Sequence, residues 1–204
     1  YFEGNPPRPL KALDTHGQVI YLSTFSKTLA PGLRVAWLVA PEPMIERLTL
    51  HKQVFDLNTN AIGQWVVSEV MQRDLLDAHL EHIRQTYRHK RDLTLHAIAT
   101  HWPGDVRVNH PAGGFHLWCR LPGDVRARTL LREAANEHVA FTIGEPFHVD
   151  GGGQQHFRLS YAYPEEEHIE EGIKRIGTAL RRLLARRSLR EEAQRQHLEH
   201  IPMV

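Results

Sequence analysis

Apolar residues along the chain alternate between a spacing of two and a spacing near four, and these switches divide it into interleaved strands and helices. Gln18–Leu22 and Arg34–Val39 are short runs rich in Val, Ile, Leu and aromatics, predicting two strands joined by the loop Ser23–Gly32. From Pro43 onward Ile45, Leu48 and Leu50, then Ile62, Val66, Val67, Val70 and Met71, fall at helical spacing, and the second set fits one buried face. Leu75–Ala99 carries Leu76, Leu80, Ile83, Tyr87, Leu93, Leu95 and Ile98, a longer helix stopped by Trp102-Pro103-Gly104. Such a helix is well above the globular mean of about 11–12 residues, as a spacer between two lobes would be.

After that stop the pattern changes. Val106–Asn109 and Phe115–Leu121 read as strands on either side of the turn Pro111-Ala112-Gly113-Gly114, a hairpin-like arrangement. Ala127–Glu137 reads as a short helix, and Val139–Ile143 and Phe157–Tyr161 as strands. A last helix follows Pro164, with Ile169, Ile173, Ile176, Leu180 and Leu183 as its inner stripe. Residues 187–204 are charged and read as a helical or disordered extension in solvent. The fold class is therefore α/β, with residues 1–92 the end of a larger lobe and residues 93–186 a smaller α+β lobe.

Composition narrows the function classes. With 25 Lys plus Arg against 24 Asp plus Glu, the chain has no global field of the kind that draws nucleic acid or an anionic membrane. No apolar run approaches the ~20 residues of a membrane span. The single Cys119 rules out an internal disulfide and suits a reducing compartment, so a cytoplasmic location is expected. Cys119 itself, between Trp118 and Arg120 on a predicted strand, reads as packing. The 15 histidines show neither the helix-borne His-Glu-x-x-His pattern nor thiol partners, and no metal site is expected. Gly151-Gly152-Gly153 lacks the lysine and hydroxyl of a phosphate-binding P-loop and reads as a flexible hairpin tip.

The loop Ser23–Gly32 carries the chemistry. An amine condenses with a carbonyl only when unprotonated, and Lys27 lies among Ser23, Thr24, Ser26 and Thr28, with Arg34 a few residues on. Four hydroxyls and a planar guanidinium are a donor set suited to a phosphate dianion. A lysine beside a phosphate cradle is what a pyridoxal phosphate enzyme needs. By spacing alone, Lys27 reads first as a solvated loop residue.

Thr24-Phe25-Ser26-Lys27-Thr28-Leu29-Ala30-Pro31-Gly32-Leu33-Arg34-Val35-Ala36-Trp37 resembles the lysine segment of the fold type I, class I/II aminotransferases. The branch is the one that holds the aminoadipate and kynurenine aminotransferases and the aminotransferase-like domain of MocR-type regulators. Lys52–Leu57 with Gln64, Pro111–Trp118 and Phe157–Ala162 resemble later segments of the same family, in register, so the likeness spans about residues 2–185. Three positions depart: Ser23 and Ala36 stand where the family often has Gly, and one residue is missing between Gly114 and the aromatic that follows.

The resemblance implies the C-terminal part of a pyridoxal 5'-phosphate-dependent transferase, and transamination between an amino acid and a 2-oxo acid. It implies that Lys27 is the catalytic residue, through a Schiff base to the cofactor and as the acid/base at the substrate α-carbon. Thr24, Ser26 and Arg34 would hold the cofactor phosphate, and Arg158 would bind the substrate α-carboxylate; without the flanking match, Arg158 reads as a strand arginine paired with a surface acid. A homodimer is implied for the intact parent. The alternative is the effector domain of a MocR/GntR-type transcription regulator, where nucleic acid would be a partner through a separate winged-helix domain.

The family's ring-stacking aromatic, the Asn on the ring oxygen and the Asp on the ring nitrogen all precede the stretch that resembles Tyr1-Phe2-Glu3-Gly4. Without that Asp the ring is a poor electron sink. These residues alone are therefore expected to bind the cofactor weakly and show little turnover, which an absorption spectrum and a transamination assay on the 204-residue chain check; full turnover would refute it.

Overall fold

The computed structural model describes residues 1–199 and divides into two compact units, Glu3–Gln85 and Thr86 onward, with Phe2 belonging to the second. The division falls inside a helix and earlier than the expected 92/93 boundary. Among the described residues no helix is long and apolar enough to cross a membrane.

In the first unit, β1 (Tyr21–Thr24) and β2 (Ala36–Val39) pair antiparallel, Tyr21 opposite Val39 and Thr24 opposite Ala36. Tyr21 and Trp37, on the two strands, tilt together at 5.3 Å. Between them, Pro31–Leu33 forms a 3₁₀ turn with Pro near its start, and Arg34 follows in the left-handed region at φ 55°. Two helices complete the unit, α1 (Glu42–Phe55) and α2 (Ala61–Gln72). Asn60 caps α2 by accepting from the backbone N–H groups of Ile62 at 3.0 Å and Gly63 at 3.3 Å.

The periodicity places both helices, and of the face expected to be buried on α2 it has Val67 buried and Val66 and Val70 half-buried but misplaces its two ends. Only Gly63 and Val67 of α2 are buried, Ile62 and Met71 lie exposed, and α1 buries no residue at all. The physical reason is area: a two-stranded sheet of four-residue strands is too small to cover two amphipathic helices.

The second unit begins within α3 (Leu75–His101). A four-stranded antiparallel sheet follows in the order β3 (Arg107–Val108), β4 (His116–Arg120), β6 (His156–Ser160), β5 (Thr142–Ile143). α4 (Ala127–Asn136) and α5 (Glu166–Glu199) pack with the sheet around one core. Leu117, Cys119, Phe157 and Leu159 form the core face of β4 and β6, and Leu130, Ile173, Ile176 and Leu180 meet them from the helices. The predicted inner stripe of α5 is the observed one, Leu183 included as a partly buried member. Trp102 closes the core from the end of α3, donating its indole N–H to the Ile173 carbonyl at 2.8 Å. Cys119 is fully buried, and burial raises its thiol pKa far above the usual range, so it packs rather than reacts.

Gly151–Gly153 precedes β6 as a turn, with Gly151 and Gly153 at positive φ. In the extension, α5 continues to Glu199, and Arg187 pairs with Asp124 at 3.1 Å; residues 200–204 of the expected extension lie outside the described residues.

One close approach matters for the loop that carries Lys27. A Cβ on Gly63 would stand 2.6 Å from the Leu33 carbonyl oxygen and 3.1 Å from Val35, so α2 rests on the turn through a bare backbone. Gly63→Ala is expected to cost about 1–3 kcal/mol and to speed amide exchange across residues 25–35, whereas Ile62→Ala at the exposed neighbouring position stays within about 0.5 kcal/mol. Chemical denaturation and hydrogen exchange check both.

Candidate active site

The lysine segment is a tight reversal held by its own backbone. Phe25 donates its N–H to the Val35 carbonyl at 3.1 Å across the hairpin, and the Phe25 carbonyl accepts from Leu29 at 2.8 Å and Ala30 at 3.1 Å. Lys27 stands at the head of this turn, exposed. The Thr24 hydroxyl lies 3.0 Å from the Ser26 hydroxyl and 3.1 Å from the Val35 carbonyl, and accepts the Ser26 N–H at 3.1 Å. Two of the predicted phosphate donors are thus brought together beside Lys27.

Arg34 is placed differently. It is exposed, and its Nη1 donates to the Pro31 carbonyl of its own turn at 3.3 Å. Its φ of 55° is uncommon for a non-glycine residue, a strain that survives because the 3₁₀ turn before it and β2 after it leave no other path. Strain of this kind clusters at functional loops.

The second candidate locus lies in the other unit, on the face of the sheet turned away from the core. The β4–β6 register sets Trp118 opposite Arg158, Arg120 opposite His156 and His116 opposite Ser160. Thr142 of β5 flanks Arg158 from the other side. The Arg158 guanidinium carbon sits 4.8 Å from the centre of the Phe147 ring, and its Nε is buried and makes no hydrogen bond among the described residues. A buried guanidinium N–H without a protein acceptor is unfavourable unless a water or an anion completes it. A cavity of about 660 Å³ adjoins it, lined by Arg158, Thr142 and Ser160 together with Val139, Phe141 and Ile169.

Beside Arg158, the His156 imidazole stacks on Trp118 at 5.6 Å with 16° between the rings. Burial, then the nearby His148 and Arg120, hold its pKa below the ordinary histidine value, which keeps this ring neutral near pH 7. Phe147 had no place among the residues singled out from the sequence. Its signal was the Gly144-Glu145-Pro146 run ahead of it, which marks a tight turn next to a strand rather than the end of one. The histidines considered for metal do not gather: among the described residues no three His, Cys, Asp or Glu side chains are grouped as ligands.

Comparison with known proteins gives this geometry a family. The family described as Aminotransferase class I and II matches residues 2–176. A 2-aminoadipate transaminase of Thermus thermophilus is 44% identical over 167 residues, which are 82% of this chain and 42% of that protein. The crystal structure of the α-aminoadipate aminotransferase LysN, also from Thermus thermophilus and complexed with N-(5'-phosphopyridoxyl)-L-leucine, superposes with a TM-score of 0.84 at 41% identity, over 91% of this chain and 48% of that one. An uncharacterised HTH-type transcriptional regulator, YisV of Bacillus subtilis, is 35% identical over 185 residues, 90% of this chain and 38% of its own. The chain spans less than half the length of each of these relatives. With residues 2–176 matched, the chain belongs to the class I and II aminotransferase family.

Proposed function

We propose that this chain is the C-terminal part of a pyridoxal 5'-phosphate-dependent aminotransferase that exchanges an amino group between an amino acid and a 2-oxo acid. The observation that carries the reading is Arg158, a buried guanidinium Nε with no protein acceptor among the described residues, on a family-matched strand beside a cavity. The donors around Lys27 also fit the cofactor: the two adjacent hydroxyls of Thr24 and Ser26 are phosphate-site chemistry, Lys27 stands exposed beside them, and Arg34 follows on the same loop with its guanidinium on the Pro31 carbonyl.

When bound, the cofactor supplies an aldehyde that condenses with amines and a conjugated ring that delocalises the electron pair left as the α-proton departs. Thr24, Ser26 and Arg34 hold the phosphate, the hydroxyl protons turning from their protein acceptors toward it. Lys27 would hold the cofactor through Nζ and would carry the proton to and from the substrate α-carbon on that same nitrogen. Arg158 receives the α-carboxylate as a bidentate pair, which orients the α-carbon.

For the intact parent we propose a cytoplasmic homodimer. Supporting this are the lone buried Cys119, and on the first unit the exposed Leu22, Phe55, Ile62 and Trp65, an apolar surface of the kind that marks an interface. A second reading is favoured by the likeness to YisV over 90% of this chain: the same lysine turn could serve a regulator as its effector domain. The 44% identity to a transaminase ranks the enzyme first.

Borohydride reduction of the purified gene product followed by peptide mapping is expected to place the cofactor on Lys27, and Lys27→Ala is expected to retain no covalent label and no turnover. Labelling at any other lysine sinks the assignment. Arg158→Lys, which keeps the charge and loses the planar fork, is expected to raise KM for the amino acid by about 10- to 100-fold, read from steady-state kinetics; strong sequence-specific DNA binding without turnover would favour the regulator instead.

A further inference from the structure

The sheet face that presents Arg158 also carries a row of rings, and one of them has no part in the roles assigned so far. Phe147 is the last residue of a 3₁₀ turn, Glu145–Phe147, and its ring faces the Arg158 guanidinium carbon at 4.8 Å from the ring centre. Trp118, directly opposite Arg158 in the β4–β6 register, meets the same Phe147 ring edge-on at 5.6 Å and 87°. Phe147 is 47% exposed, so core burial does not account for where it sits.

The turn that delivers this ring is fixed from several sides. Gly144 donates its N–H to the His156 carbonyl at 2.7 Å, and a Cβ on Gly144 would lie 2.6 Å from that oxygen, so only glycine allows the approach. Phe147 donates its N–H to the Gly144 carbonyl at 2.9 Å, and Pro146 pins the backbone angle within the turn. Glu145 accepts from Arg128 of α4 at 2.5 Å, tying the turn to the helix.

All five N–H bonds of a guanidinium lie in its plane, so a ring on its face leaves the donor edge unobstructed. The Nε that lacks a protein acceptor belongs to that edge, where Nε–H and one terminal NH₂ form a fork matching the two oxygens of a carboxylate. A long side chain ordered before the ligand arrives loses less conformational freedom on binding. We propose that Phe147 is a positioning residue, which plates one face of Arg158 and so holds its donor edge in the plane that receives the substrate α-carboxylate. The proposal rests on the reading of Arg158 given above.

The test uses the protein as its gene encodes it and follows binding of propionate, a carboxylate without an amine, by ligand-observed NMR, alongside steady-state kinetics and thermal midpoints. Phe147→Leu is expected to weaken propionate binding by about 3- to 10-fold and to raise KM for the amino acid by a similar factor, with kcat within about twofold and an unchanged midpoint. Phe147→Tyr, which keeps the ring, is expected to restore both. If Phe147→Leu binds propionate as the unaltered protein does while Arg158→Lys does not, the positioning role is wrong and the Arg158 assignment stands. If Arg158→Lys and the unaltered protein bind propionate alike, both fall. A loss in Phe147→Leu that Tyr does not restore, or that comes with a lowered midpoint, makes Phe147 a structural residue and overturns the proposal.

Discussion

The register between β4 and β6 is the constraint on which the second unit depends. Pairing Trp118 with Arg158 and Leu117 with Leu159 sends Leu117, Cys119, Phe157 and Leu159 into the core and Trp118, Arg158 and His156 to the other face. A slip of β6 by one residue would exchange its two faces, driving Arg158 into an apolar core and exposing Phe157 and Leu159. Burying an unpaired guanidinium there would cost several kcal/mol, so the core selects the register and the register presents Arg158. Stability and the candidate chemistry thus come from the same pairing.

The first unit solves a different problem with less material. Its hairpin must bring Thr24 and Ser26 beside the head of a turn, and it does so by crossing from Phe25 to Val35 and forcing Arg34 into the left-handed region. The bare backbone of Gly63 lets α2 brace that turn from behind. Its two short strands are too few to hide the apolar faces of α1 and α2, and Val54, Phe55 and Trp65 stay largely exposed. The chain also spans less than half the length of these relatives.

The two units also differ in how their polar groups are satisfied. Around Lys27 the hydroxyls already have protein acceptors or neighbours, and a phosphate would have to draw them away. Around Arg158 the Nε has none among the described residues, and the Phe147 ring against the guanidinium does not replace a hydrogen bond.

Much of this was legible in the chain itself. The switch between periods located the long helices closely, because spacing along an element depends only on local geometry, whereas β1 runs Tyr21–Thr24 where Gln18–Leu22 was expected and β5 is only Thr142–Ile143. The inner stripe of α5 followed from its isoleucines and leucines alone, and the motifs around Lys27 and Arg158 pointed to the family that the matched residues 2–176 establish. Which apolar faces are covered was not legible at Ile62 and Met71, since a stripe states only that a face prefers burial and the small hairpin offers too little area to grant it. The Arg34 contact with Pro31 and the Phe147 ring against Arg158 were not legible either. Both join groups whose meeting depends on how a turn closes and how strands pair, and those are decided only when distant backbone segments exchange hydrogen bonds in three dimensions.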